Sequence, residues 1–208
     1  HLLLTPAPAR ARFVMWAENH FSTWIRKIGG DAKWFEHVTF SQLGPATFDR
    51  LLFASAESPA MLLYLDQTQS YVGSLNENYA REIMELHTLG VDGGYAQSDV
   101  TNLAHLLTGW TASLDGDGQS GGTAALRYTF RFDPKLNDAE GVPVFGMRFG
   151  GEETDRFDRA VLAIEHLASH PETAKHIARK LAEHYISVPA PPALVDDLTH
   201  EFLSTGGD

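Results

Sequence analysis

Apolar residues in this chain recur mostly three and four positions apart, the spacing of helices that bury one stripe. Phe13, Ala17, Trp24 and Ile28 share one face of a long helix predicted over 9–28, with His20 in the middle of that face and Gly29-Gly30 ending it. The stretch 31–43 is ambiguous, and Trp34, Phe35 and Phe40 are its expected packing anchors. Pro45 and Pro59 each suit a first helical turn, so helices are predicted to Ala56 and to Asp66. A polar loop over 67–74 follows. A helix over 76–90, stopped by Gly90, is the segment the rest should pack around. The next helix runs from a Ser98 cap to Gly109 with Val100, Leu103, Ala104 and Leu107 inward and His105 solvated. Residues 114–125 read as a flexible Gly-, Asp- and Ser-rich loop. Tyr128, Phe130 and Phe132 alternate with Arg127, Thr129 and Arg131, a strand pattern, and 144–149 is its expected hairpin partner across a turn at 133–141. Helices over 155–168, 171–185 and 193–203 complete the chain, with His166 and His176 on outward faces.

This predicts a mainly α fold: a single domain over 1–208, a multi-helix orthogonal bundle of roughly eight helices, with a loop and one β-hairpin inserted at 111–150. On a helical wheel of the central segment, at about 100° per residue, Tyr79, Ile83 and Leu86 fall together, with Ala80, Met84 and His87 on the same side. Asn78, Glu82 and Glu85 gather on a neighbouring polar strip, Glu82 at its apolar border, and Glu77 and Arg81 are spaced to pair outside.

The segment Asn76-Glu77-Asn78-Tyr79-Ala80-Arg81-Glu82-Ile83-Met84-Glu85-Leu86-His87-Thr88-Leu89-Gly90 closely resembles the bacterial family catalogued as domain of unknown function 1800. So do Asn19-His20-Phe21, Ser58 to Asp66, Val91 to Val100, Leu107-Thr108-Gly109-Trp110 and His170-Pro171-Glu172-Thr173-Ala174, in the family's order. The resemblance implies an exported, secreted or periplasmic, mostly helical protein of larger size; it carries no mechanism. It also implies further helical sequence on both sides, so the chain, which starts at His1 and stops at Asp208, reads as a fragment whose signal peptide would not be visible.

Composition narrows the function classes. A 43% hydrophobic content supports a sizeable core. The formal charge of −11 argues against nucleic acid or an anionic membrane as main partner, since both are polyanionic surfaces. The absence of cysteine excludes disulfides, thiolate metal sites and a cysteine nucleophile. No run approaches the ~20 apolar residues of a membrane helix, so no membrane insertion is expected.

Glu82 and Glu85, three apart on one helix edge, are the first candidates for chemistry, because paired carboxylates divide acid and base roles or bind metal. Glycosidases place such a pair about 5–10 Å apart. The reading is an exported hydrolase, with an extracellular polysaccharide as its substrate class. Glu82 would be the proton donor, raised by partial desolvation, Glu85 the base or a metal ligand, and His87 would assist. Asn78, Arg81, His20 and Trp110 would contact substrate. The competing explanation is a solvated edge on a structural helix, in a non-catalytic binding or assembly module.

His20 and His87 on apolar faces could also converge with Glu82 as a metalloprotein site, or be core imidazoles bonded to backbone. The spacing matches neither His-Glu-x-x-His nor the Glu-x-x-His of di-iron bundles, no metal set is assigned, and a cofactor is unknown. Asp115-Gly116-Asp117-Gly118 fails the calcium-loop pattern at Ser120 and Leu126. No Gly-x-Ser-x-Gly elbow, P-loop or dinucleotide fingerprint is present. Trp16, Trp24, Trp34 and Trp110 could line a sugar-binding cleft, although tryptophans in a helical domain more often fill its core.

Overall fold

The fold is mainly α, as predicted, in the computed structural model, which describes residues 5–115, 127–138, 142–149 and 155–208. Ten α-helices run in order through the described residues: α1 Pro8–His20, α2 Ile25–Ile28, α3 Gly30–Leu43, α4 Phe48–Ala56, α5 Pro59–Tyr64, α6 Asn78–Glu82, α7 Gln97–Leu107, α8 Arg156–Ala168, α9 Pro171–Tyr185 and α10 Pro192–Thr205. A 3-10 turn, Gln67–Gln69, falls in the expected loop, where buried Gln67 donates from Nε2 to the Leu107 carbonyl at 2.8 Å.

The long N-terminal helix is two helices. Phe21 ends α1 by donating its N–H to the Ala17 carbonyl, and the Thr23 hydroxyl then turns to the Glu36 carboxylate on α3 (2.9 and 3.0 Å). A short polar side chain bonding away from its own helix competes with continuation of that helix. The break re-aims the chain beyond Thr23, so Trp24, placed inward by periodicity, faces solvent. The ambiguous stretch is helix α3, in which Phe40 is buried but Trp34, an expected anchor, is not.

The β elements also differ from expectation. Strand β1, Trp110–Asp115, pairs antiparallel with β2, Arg127–Phe132, in the register Trp110↔Phe132 to Asp115↔Arg127. The segment expected as the partner of β2 forms its own small pair instead, β3 Pro143–Val144 with β4 Met147–Arg148. Tertiary anchoring decides the pairing: Gly109, at φ +80, accepts from Asp133 N–H at 2.9 Å and donates to the Ser70 carbonyl at 3.2 Å, joining the root of β1 to the end of β2. A side chain there would strike the Asp133 carbonyl and Asn137, so only glycine permits the approach. The expected flexible loop lies outside the described residues except for Leu114 and Asp115, which are in β1, and so does most of the calcium-like stretch.

One main core joins nearly every element. It contains Ala17 and Phe21 of the N-terminal region, Leu51, Leu52, Met61 and Leu62 of α4 and α5, and Val100, Leu103 and Leu107 of α7. Trp110, fully buried, stacks on Phe157 at 5.3 Å and meets Phe130 edge-on at 5.1 Å, fastening the β pair to α8. Helix α7 starts at Gln97 rather than at a Ser98 cap; the Asp99 carboxylate accepts from Ala96 N–H at 2.8 Å and fills that role. His105 is half-buried and pairs with Asp138 at 2.7 Å, where solvation was expected. His170 does start α9, its Nδ1 accepting from Glu172 N–H at 3.2 Å.

Candidate functional site

The central segment begins with Asn76, which clamps two turns together. Its Nδ2 donates to the carbonyls of Leu65 (3.1 Å) and Asp66 (3.0 Å), and its Oδ1 accepts from Asn78 N–H (2.9 Å). Tyr79 and Ala80 of α6 are buried as predicted. Glu77 and Arg81 do pair, at 3.1 Å, within a larger network in which Arg81 and Thr101 hold Gln97 and Glu77 (2.7–3.1 Å) and tie α6 to α7. Arg81 is thus committed to a structural contact, and Asn78 is exposed.

After Glu82 the helix widens into a π-turn over Ile83–His87, where an α-helix was expected. The Thr88 hydroxyl donates to the Ile83 carbonyl at 2.6 Å, Thr88 leaves helical geometry, and Gly90 N–H reaches back to the Met84 carbonyl at 3.2 Å. The wider turn rotates its later residues: Leu86, expected in the core, is exposed, while His87 and Thr88 are buried. Such one-turn widenings are frequent at functional sites.

On the outer edge of this turn lie Glu82 and Glu85. Neither carboxylate takes a hydrogen bond or ion pair among the described residues. Partial burial raises the Glu82 carboxyl above the usual range, with the Glu85 charge adding to it and Arg81 opposing. Burial also raises the Tyr95 hydroxyl, and Glu85 contributes, which places that phenol on the same edge.

On the inner side is a cluster of imidazoles. His20 Nε2–H donates to the His87 carbonyl at 3.1 Å, and its ring stacks on Trp16 at 5.2 Å. The His87 and His176 rings lie 6.0 and 6.3 Å from it. His176, expected to face outward, turns in from α9 and donates to the Leu86 carbonyl at 3.3 Å, closing over Gly90. Burial drives the His20 pKa well below its usual value and brings His87 to about 3, with the Lys180 charge pushing both the same way. Both rings are therefore neutral at physiological pH. Their Nδ1 atoms have no partner among the described residues.

The carboxylates of Glu82 and Glu85 are half-buried on one side of the turn, and the His20 and His87 rings are buried on the other. No hydrogen bond or ion pair among the described residues links Glu82 or Glu85 to His20 or His87, and no three His, Asp or Glu side chains gather as a metal centre there. His176 and Lys180 join His20 and His87 from a helix remote in sequence, and only their shared α9 spacing hinted that both could face one neighbour.

The tryptophans divide cleanly. Trp16 and Trp110 are buried, the latter fully, whereas Trp24 and Trp34 are 56% and 62% exposed. Lys33 Nζ donates to the Thr23 hydroxyl at 3.1 Å, which ties the segment that carries Trp24, just before α2, to the first half of α3, which carries Trp34. Ile25, Arg26 and Asp31 are exposed around them, and the His37 ring lies 5.6 Å from Trp34.

Compared with known proteins, residues 1–208 match one family, described as "Protein of unknown function (DUF1800)". No curated protein and no solved structure matches the chain.

Proposed function

The chain belongs to that family, DUF1800, and for this member we propose a binding role: the α2–α3 face holds an extracellular carbohydrate polymer. The single supporting observation is the pair of tryptophans more than half exposed on adjoining segments, Trp24 just before α2 at 56% and Trp34 on α3 at 62%. Indole is the side chain with most apolar area to lose by facing water, and isolated exposure of that size on both of two neighbours is unusual for a face without a partner. A flat, rigid aromatic surface stacks on the apolar face of a pyranose ring, while the charged and hydroxyl groups around it bond to the sugar's rim. Arg26 and Asp31, both exposed, supply such groups here. The formal charge of −11 disfavours a polyanion, so the polymer is neutral. With an extracellular polymer as its ligand, the protein acts outside the cytoplasm.

Electrophoresis through native gels containing neutral glucan, xylan, mannan or chitin derivatives tests this. Retardation by one polymer, abolished in Trp24→Ala/Trp34→Ala with mobility in plain gel unchanged, is the expected result. Equal mobility in every polymer gel would end the reading.

A second reading has its own observation: Glu82, half-buried, carries a raised carboxyl without a partner among the described residues, beside Glu85 and next to a π-turn. That supports an acid/base hydrolase with Glu82 as proton donor and Glu85 as base. Glu82→Gln would then abolish cleavage of the bound polymer while changing stability by less than about 0.5 kcal/mol, the usual range for a surface substitution. Undiminished cleavage by that variant would refute it.

A further inference from the structure

Between α1 and α3 runs a groove of about 360 Å³, a volume typical of small-molecule sites. Ala7, Ala11, Val14 and Met15 give it apolar walls, and Glu18, His37 and Ser41 line it as well. These three polar residues lie on one line of contacts. The Glu18 carboxylate accepts from His37 Nδ1–H at 2.9 Å, and the opposite nitrogen of that ring, Nε2, faces Ser41 Oγ at 3.5 Å. The local cause is simple. His37 and Ser41 are four apart on α3, so their side chains sit one above the other, and α1 packs alongside to bring Glu18 to the free edge of the ring.

With Nδ1–H held by the carboxylate, Nε2 carries the lone pair, and that lone pair is what faces the hydroxyl. Nucleophile, base and orienting acid therefore occupy the order that defines a hydrolytic triad by geometry, independent of fold or motif. The gap from Ser41 to His37 is longer than a formed hydrogen bond, as is common in such sites before substrate enters. Arg10, also in the groove wall, donates from Nη2 to the Ser41 and Gln42 carbonyls at 3.0 Å each. It fixes the end of α3, where carbonyls are otherwise left without donors, and brings a positive charge beside Ser41. Gly44 leaves room for it, since any side chain there would strike the guanidinium.

We propose that Ser41, His37 and Glu18 form a catalytic triad that hydrolyses esters carrying a small apolar acyl group. Ser41 Oγ passes its proton to His37 Nε2 and bonds to the acyl carbon, whose carbonyl oxygen becomes an oxyanion beside Arg10. The intermediate collapses, the bond to the leaving oxygen breaks, and His37 returns the proton to that oxygen, releasing the alcohol. Water then gives a proton to His37 and its oxygen to the acyl carbon; collapse frees the carboxylic acid, and Ser41 recovers its proton. Glu18 holds the ring's tautomer and orientation throughout. Apolar walls accept the acyl chain, and the open side of the groove takes the alcohol. The His37 ring lies 5.6 Å from Trp34, so the groove adjoins the polymer-binding face; Ser41→Ala separates the two, since it should abolish ester turnover and leave polymer retardation unchanged.

The test uses the purified chain, p-nitrophenyl acetate and butyrate as substrates, and a fluorophosphonate as a covalent probe. Turnover and one added probe mass on the peptide containing Ser41 are expected. Ser41→Ala and His37→Asn should bring kcat/KM down to the rate of free imidazole, and Glu18→Gln should lower it roughly 10²- to 10⁴-fold, all with unchanged Tm. A separate handle is available because the chain lacks cysteine. Ser41→Cys creates a unique thiol, whose iodoacetamide alkylation should be accelerated below pH 8 by His37 and lose that acceleration in Ser41→Cys/His37→Asn. Full turnover by Ser41→Ala, a wild type that neither turns over substrate nor takes the probe, or alkylation indifferent to His37 would each overturn the assignment.

Discussion

Trp16 and Trp110 on one hand, and Trp24 and Trp34 on the other, are the same side chain in opposite circumstances. Trp110 is enclosed by Phe130 and Phe157, at the junction of β1, β2 and α8. Trp24, just before α2, and Trp34, in the first half of α3, are more than half exposed, and the contacts that fix their two segments run through Thr23, Lys33 and Glu36 instead. Removing the first kind should damage the fold, and removing the second should leave the fold intact and remove a function. Neither outcome follows from residue type; for Trp24 it follows from the backbone break at Phe21–Trp24, and for Trp34 from the face of α3 that turns away from Phe40 and Glu36.

The comparison can be broken most severely at Trp110. Trp110→Ala should lower stability by about 3–5 kcal/mol, as loss of a fully buried indole leaves a large cavity; chemical denaturation measures this, and a change below about 1 kcal/mol would contradict the enclosure. Acid should act next most strongly, through the cluster that Trp16 covers. His20 and His87 have native pKa values lowered below those of the unfolded chain, so the unfolded state binds protons first. Stability is full above the unfolded pKa of about 6.5 and falls as pH drops below it, by up to about 1.4 kcal/mol per pH unit per group, until the native rings themselves protonate. Midpoints of urea unfolding at pH 7.5 and pH 5 should differ in that direction, and less so in His20→Gln.

Gly90 is the smaller third case. Its φ of +85 and the closeness of His176 make Gly90→Ala unfavourable by about 1–2 kcal/mol, a loss visible as a lower Tm. At the low end, Trp24→Ala and Trp34→Ala should each shift stability by no more than about 0.5 kcal/mol. A cooperative loss of several kcal/mol would mean that these indoles pack against something and would end the contrast.

Local spacing made part of this molecule legible in its sequence. Periodicity found most of the helices, the buried stripe of α7 and the burial of His20 and His87, because those depend on neighbours three and four positions away; it left α3 ambiguous and ran α2 into α1. It missed the break before Trp24, since that depends on Thr23 meeting Glu36 on another helix. It paired β2 with the wrong segment, because the register is set by Gly109 contacting Ser70 and Asp133. It assigned an α-helix where the chain forms a π-turn, and so put Leu86 inside. For the sites, the carboxylate pair was legible as a local spacing. The arrival of His176 beside His20, and of Glu18 beside His37, was not, because each joins helices far apart in sequence.

The binding face is tested most directly by its own fluorescence. With Trp16 and Trp110 buried, acrylamide quenching reports chiefly on Trp24 and Trp34. Titration with the retarding glycan should protect the emission from quenching in a saturable way, and Trp24→Phe/Trp34→Phe should show no such protection while keeping the native Tm. Quenching that is the same with and without every neutral glycan would contradict the account.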